Sequence, residues 1–293
     1  MIILPGPASQ DLANRLAAEL KARLVSVFFK KFPDGESYIR IEGDVQNEDV
    51  VIVQTTSPPQ NERMMQLFFL ASAVKNQGAK RIRTVVPYLA YSRQDKIFLL
   101  GETFSAKTVV DILRSCGVTQ IITVNAHNPT ALDTFSIPIK DLSAIPLLAK
   151  YFRDQGFEGA VSLSMGKKGL ATAEEAATVL KGAYDYIPTL RDRHTGKVSI
   201  EEKPLEVKDE VVIFFDDIIS SGGTMIKAVA YAKNQGAAKV YAACVHPLLM
   251  ANAKERIMQS GADAVVGTDS VPSSVSVVSV APIIAKALTG QGA

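Results

Sequence analysis

The sequence predicts an α/β protein of two tandem domains, each a mainly parallel sheet flanked by helices. Short apolar runs of strand length alternate with amphipathic stretches of helix length along the whole chain, which favours parallel strands covered on both faces. At 293 residues the chain is long for one domain and sufficient for two, each with its own core. An internal echo supports the division. Residues 105–127 superpose on 224–246 at a separation of 119 residues, with a helix, a closing glycine (Gly117, Gly236), a strand and a histidine (His127, His246) in the same order. Two halves of one duplicated unit are the expected architecture, with domains over residues 1–142 and 143–293.

In order, residues 1–4 read as a strand, and Ser9 or Asp11 caps a helix to about residue 21. A second strand over 24–29 leads into Pro33-Asp34-Gly35, which demands a turn and returns as an alternating strand through Tyr38 and Arg40. Residues 50–54 and 82–87 are apolar strands around a helix over 61–77. A helix over 105–116 ends at Gly117, and a strand over 120–125 delivers His127. The second half begins with a helix from 145. It continues as strand 160–163, helix 171–181, strand 184–188, a polar turn over 189–197 and a short extended segment over 198–200. Strand 211–215, helix 224–234, strand 241–245, helix 248–259, strand 264–267 and helix 282–288 complete it.

Composition narrows the function classes. Lysine and arginine exceed aspartate and glutamate by only two, with no basic block, so bulk electrostatic capture of nucleic acid is not expected. Cys116 and Cys244 lie in apolar contexts without a CxxC partner and read as reduced core thiols. Neither a leader-like start nor an apolar run of membrane-spanning length is visible, and cytoplasmic location is the expectation by elimination.

One stretch organises the rest. The apolar run 211–215 ends in Asp216-Asp217, and Ser220-Ser221-Gly222-Gly223-Thr224 then opens a helix. Hydroxyls and unobstructed backbone amides at a helix N-terminus suit a phosphate monoester. The two carboxylates at the strand end suit sugar hydroxyls or a nearby metal. Either feature alone is more often a cap with solvated aspartates; their coincidence on one strand end favours a binding site.

Asp216 to Thr224 resembles the ribose-phosphate loop of type I phosphoribosyltransferases and, more closely, of the ribose-phosphate pyrophosphokinase family. Phe32-Pro33-Asp34-Gly35-Glu36-Ser37, Arg93-Gln94-Asp95 and His127 match that family in order and spacing, over nearly the whole chain. The resemblance implies two phosphoribosyltransferase-like domains. It implies transfer of pyrophosphate from ATP to the C1 hydroxyl of ribose 5-phosphate, with Mg²⁺ as cofactor, for nucleotide biosynthesis. By the same resemblance Phe32 stacks on adenine and Asp34, Glu36, Arg93 and Gln94 meet the nucleotide, while His127 contacts ATP and the metal. Asp216, Asp217, Ser220, Ser221, Gly222, Gly223 and Thr224 would hold ribose 5-phosphate, and Arg191 the developing charge. A homo-oligomer with the ATP pocket at a subunit interface is also implied. His246 is left structural.

Two positions depart from the family pattern. Met165-Gly166 stands where the family has a proline and a metal-holding aspartate, and Thr189 where a lysine precedes Arg191 by two residues. Lys167, Lys168 or Lys197 could supply cationic charge, but a protonated lysine cannot ligate a metal. A second reading therefore stands beside the synthetase: a catalytically weak or silent homologue that binds nucleotide and ribose phosphate and regulates an active enzyme. A third, a phosphoribosyltransferase acting on a base, leaves Phe32–Glu36 and Arg93–Asp95 unexplained.

Overall fold

A computed structural model describes residues 1–97, 99–191, 198–200 and 203–290. The first part of the chain forms β1 (Ile2–Pro5), α1 (Gln10–Leu20), β2 (Arg23–Leu24), β3 (Val27–Lys31), β4 (Ser37–Ile41), β5 (Asp49–Val53), α2 (Gln60–Asn76), β6 (Arg81–Val85), α3 (Ser105–Ser115), β7 (Gln120–Val124) and β8 (Ile139–Leu142). The second part forms α4 (Ile145–Asp154), β9 (Val161–Met165), α5 (Leu170–Leu180), β10 (Tyr184–Ile187), β11 (Thr189–Arg191), β12 (Val198–Ile200), β13 (Val211–Ile219), α6 (Gly223–Asn234), β14 (Lys239–Pro247), α7 (Ala253–Gln259), β15 (Ala264–Thr268), β16 (Ser276–Val278) and α8 (Ala281–Thr289). Among these residues no helix is long and apolar enough to cross a membrane.

The chain divides into two compact units. One holds Met1–Ser143 with Ser270–Pro272 and the segment from Ser279 onward; the other holds Ala144–Asp269 and Ser273–Val278. Each contains a six-stranded parallel sheet, in the orders β2-β1-β5-β6-β7-β8 and β10-β9-β13-β14-β15-β16. Each also has a separate two-stranded antiparallel ribbon, β3–β4 or β11–β12, inserted before its third sheet strand. The strand orders are identical, as two copies of one unit require.

The register between the copies is not the one expected from the sequence. Topology sets α1 against α5, Gln10 against Leu170, and sets the α6–β14 pair against α2–β6. The 119-residue superposition had placed α6–β14 on α3–β7, one strand and helix too far along. Every strand-helix repeat here looks alike in sequence, an amphipathic run followed by glycine and an apolar run, so a slip by one repeat loses little apparent similarity. His246 consequently is not the counterpart of His127; it lies buried within β14.

The last helix follows the second unit's strands in sequence but packs in the first unit, against α1. Buried Arg83 on β6 pairs with Asp49 Oδ2 at 2.6 Å and donates from Nη1 to the Leu288 carbonyl at 3.2 Å, capping the end of α8. In the second unit the core includes Phe214 and Val212 of β13 and Val229 and Met225 of α6, all essentially inaccessible to solvent. Truncating such an aromatic costs about 3–5 kcal/mol. That packing fixes the end of β13 and the start of α6, and with them the loop between.

Candidate active site

In the second unit the chain leaves β9 for β10 on one side and returns to β13 on the other. The carboxyl ends of β9 and β13 therefore flank the point where strand order reverses, the place where open α/β sheets bind ligands. Two loops leave the sheet there, 166–169 after β9 and 220–222 after β13.

The strand β13 runs four residues beyond the apolar stretch, so Asp216 and Asp217 belong to it rather than to the loop. Asp216 pairs in register with Cys244 of β14. Burial, then the neighbouring Asp217 charge, holds the Asp216 carboxyl well above the usual carboxylate range. Burial and Asp216 likewise push the Cys244 thiol up, which fits the inert core cysteine read from sequence. Asp217 Oδ1 accepts the Ile218 amide at 2.9 Å.

Past Ile219 the chain turns at Gly222, whose left-handed φ of 73° suits glycine, and α6 begins at Gly223. A Cβ on Gly222 would lie 3.1 Å from Ala253 Cβ, whereas one on Gly223 would meet nothing within 4 Å. The turn is thus closed beneath Gly222 and open above Gly223, beside the first-turn amides of a twelve-residue helix. Asp216, Asp217, Ser220, Ser221, Gly222, Gly223 and Thr224 are gathered on this one strand end and helix start.

After the neighbouring strand β9, the 166–169 loop is tight. Gly166 has φ 74° and ψ 155°, and its amide donates to the Ile187 carbonyl at 2.8 Å. A side chain there would bring Cβ to 2.9 Å from Thr189 Oγ1. The two departures from the family pattern are therefore neighbours in space. Lys167 and Lys168 follow on a 3₁₀ turn, both exposed. Beneath them Ser164 Oγ is buried without a protein partner, 3.0 Å from where a Gly169 Cβ would stand. Arg191 ends β11, its side chain lying outside the described residues, as does the whole of Lys197.

The first unit carries the other group. The β3–β4 turn closes through Phe32 N–H to the Glu36 carbonyl at 2.8 Å, with Gly35 at φ 97° and Asp34 Oδ1 accepting the Glu36 amide at 3.1 Å. Phe32 stays exposed, edge-on to Tyr38 with centroids 6.1 Å apart, and Lys30 Nζ lies 4.9 Å from its ring centre. Arg93 and Gln94 are exposed on the loop after β6, and His127 on the loop after β7. Asp95 joins these loops by accepting from Asn128 Nδ2, and the Asp141 carboxylate accepts the Ala126 amide at 3.0 Å from behind. The ribbon and the Arg93 loop both fasten to the first turn of α2, through Lys31–Glu62 at 2.6 Å and Tyr91–Asn61. The ribbon carrying Phe32, Asp34 and Glu36 is thereby held at that turn. Sequence reading assigned no role to Asn61, Glu62, Asn128 or Asp141, and only the hydrogen-bond partners reveal them.

Two family models match, the N-terminal domain of ribose phosphate pyrophosphokinase over residues 1–117 and the phosphoribosyl transferase domain over residues 142–282. The ribose-phosphate pyrophosphokinase of Methanobrevibacter smithii is 39% identical, covering 98% of this chain and 99% of its own. The chain belongs to the ribose-phosphate pyrophosphokinase family. Its Saccharolobus solfataricus relative of the same name is also 39% identical, over 92% of this chain and 93% of that one. The crystal structure of phosphoribosylpyrophosphate synthetase from Mycobacterium smegmatis superposes with a TM-score of 0.86 at 27% identity, covering 99% of this chain and 97% of that chain. Both six-stranded units are thus those of the family.

The family implies Mg²⁺. No three histidine, cysteine, aspartate or glutamate side chains gather as a metal cage among the described residues. Mg²⁺ commonly keeps several waters and takes one or two protein ligands together with substrate phosphates. His127, exposed on the loop after β7, fits an ion carried on the phosphates of ATP.

Proposed function

We propose that this protein transfers the pyrophosphoryl group of ATP to ribose 5-phosphate, giving phosphoribosyl pyrophosphate and AMP in the cytoplasm. The observation that carries the reading is the Asp216–Thr224 strand end, set at the switch point of a sheet in a chain of this family. Ser220 to Thr224 hold the 5-phosphate with backbone amides and hydroxyls, and Asp216 and Asp217 hold the ribose hydroxyls. Phe32, Asp34, Glu36, Arg93, Gln94 and His127 hold the nucleotide.

In the reaction the C1 hydroxyl attacks the β-phosphorus, the bond from that phosphorus to the α-phosphate oxygen breaks, and AMP leaves. Little covalent chemistry falls to the protein, which positions two substrates in line and offsets phosphate charge. Mg²⁺, when bound, neutralises the phosphate oxygens. Arg191 supplies positive charge from β11, and Lys167 and Lys168 supply it directly after Gly166, the position where the family pattern has an aspartate. The chain works as a homo-oligomer; exposed Phe28, Phe32 and Tyr38 on the β3–β4 ribbon and Met65 and Phe69 on α2 support a subunit contact there.

The test is AMP release by the purified protein given ATP, ribose 5-phosphate and Mg²⁺, against a ribose-free control. Turnover above the control is expected. Measurable binding of both substrates without turnover would overturn the reading in favour of a silent, regulatory homologue.

A further inference from the structure

Residues 248–252 read from sequence as the start of a helix, since leucine, methionine and alanine are helix formers. The structure begins α7 only at Ala253 and gives the residues before it a different conformation. Leu249, Ala251 and Asn252 have φ of 48°, 54° and 55°, three left-handed residues in four, none of them glycine. Asparagine tolerates that backbone; leucine and alanine are strained by it. Strain of this kind persists where surrounding contacts over-determine it, and such places cluster at functional sites.

Leu249 packs against the second unit's core, and the segment's amides go to one neighbour. The Leu249 amide donates to the Ile219 carbonyl and the Met250 amide to the Ser220 carbonyl, each at 3.0 Å. Arg256 Nη1, one turn into α7, reaches the Ser221 carbonyl at 3.5 Å. Ala253 and Ile257 lie under Gly222, within 3.1 and 3.2 Å of where its Cβ would be. The last residue of β13 and the three residues of the turn after it are thus all held by residues 249–257.

A trans peptide points its C=O and N–H in opposite directions. All peptides of this turn are trans. Fixing the carbonyls of Ile219, Ser220 and Ser221 toward residues 249–256 therefore aims the amides of Ser220, Ser221 and Gly222 the other way. The first unit also joins its topologically equivalent loops, but with donor and acceptor exchanged. There the Thr56 amide after β5 donates to the Tyr88 carbonyl after β6 at 3.0 Å, Tyr91 is left-handed at φ 66°, and the same loop goes on to Arg93 and Gln94.

We propose that Leu249–Asn252 is a strained strap that positions the phosphate loop, setting its amides toward the 5-phosphate of the sugar substrate. The proposal rests on the reading of Ser220–Thr224 as the ribose-phosphate site. Within the strap Leu249 and Ala251 are positioning residues: their backbone geometry acts through Ile219 and Ser220 rather than on the ligand.

The test substitutes exposed Ala251. Ala251→Gly relieves the left-handed strain and frees the strap, so without ligand the melting temperature rises by about 2 °C. Calorimetric Kd for ribose 5-phosphate weakens about 5-fold or more, an effect of the size set by loss of preorganisation, while Kd for ATP is unchanged. Ala251→Asn, which accepts the same backbone without glycine's freedom, retains wild-type ribose 5-phosphate affinity. A lower melting temperature for Ala251→Gly would refute the strain. Unchanged ribose 5-phosphate affinity, or equal weakening for both ligands, would refute the positioning role. If the wild-type protein itself binds no ribose 5-phosphate, the site reading fails and the strap's role with it, whereas the melting comparison still judges the strain.

Discussion

Gly166 offers the sharpest test of how the substrate loops are built. Its φ of 74° with ψ of 155° lies in a region populated almost solely by glycine, where another residue costs on the order of 1–3 kcal/mol. A Cβ would also stand 2.9 Å from Thr189 Oγ1, forcing that hydroxyl off its rotamer at a cost of about 0.5–1.5 kcal/mol. Gly166→Ala should therefore destabilise the protein by about 2–4 kcal/mol. Adding Thr189→Ala removes the steric part alone, so the double variant recovers about 1 kcal/mol of it. Urea denaturation of the wild type, both single variants and the double variant measures each quantity. A Gly166→Ala protein within about 0.5 kcal/mol of wild type would refute the conformational argument, because ordinary surface changes stay inside that range. Strict additivity would refute the contact. If both hold, an aspartate at 166 cannot enter this backbone without moving β11, and the lysine and aspartate missing from the family pattern are one coupled change.

Thr189→Lys by itself then tests the missing charge: if Thr189 stands where a lysine would act, AMP release rises about 10-fold or more, and an unchanged rate would show that Lys167 or Lys168 already supplies it. Asp216→Asn removes a carboxyl whose folded-state pKa is raised. Wild-type stability from this group is full below the unfolded carboxyl range and is lost as pH rises toward the raised value, so the urea midpoint of the variant exceeds wild type by more at pH 8 than at pH 4, while ribose 5-phosphate turnover is lost. Equal midpoint differences at the two pH values would contradict the burial argument. Asp95→Ala unties Asn128 and with it the His127 loop; KM for ATP should rise about 10-fold with ribose 5-phosphate KM little changed, and steady-state kinetics with each substrate varied would expose a general folding defect as a parallel loss.

Most of the architecture was legible because period and punctuation agree. The alternation of β5, α2 and β6, the Pro33-Asp34-Gly35 turn and the glycines closing α3 and α6 each carry a local signal strong enough to survive packing. The strand, glycine turn and helix over residues 211–234 were legible because an apolar run, a small-residue turn and a helical period follow one another without a break. What the sequence hid lies where tertiary hydrogen bonds override propensity. Leu248 to Asn252 has helix-forming composition, yet the carbonyls of Ile219 and Ser220 draw two of its amides out of any helix. Residues 24–29 read as one strand but are divided between β2 and β3, which pair with different partners. The short outer strands β8 and β16 carry too little alternation to be seen. The coupling of Gly166 to Thr189 has no local trace, because the two are joined only by the pairing of β9 with β10.

The duplication explains why the first unit holds no second phosphate loop at its own switch point. Strand register sets Val50 beside Ile2 and Val212 beside Val161, with Val50 and Val212 on the core faces packed by α2 and α6, so Gln54 stands where the second unit has Asp216. The Gln54 side chain is buried and turned into the crevice: Oε1 accepts the Ala8 amide at 3.0 Å, and Nε2 donates to Gln66 Oε1 at 3.2 Å. It fills the space beside Gly6, where a Cβ would come within 2.2 Å of Oε1. Ser9 Oγ meanwhile accepts the Thr55 amide at 2.8 Å. The Ala8 amide in the loop after β1 and the Thr55 amide in the loop after β5 are thus already answered by the protein's own carboxamide and hydroxyl. Gln54→Ala should leave the Ala8 amide unsatisfied and cost about 1–3 kcal/mol in urea denaturation. A neutral outcome would mean that water replaces the carboxamide freely and that something other than Gln54 closes the crevice. On this account the crevice of one copy is open and that of the other is filled by its own side chains.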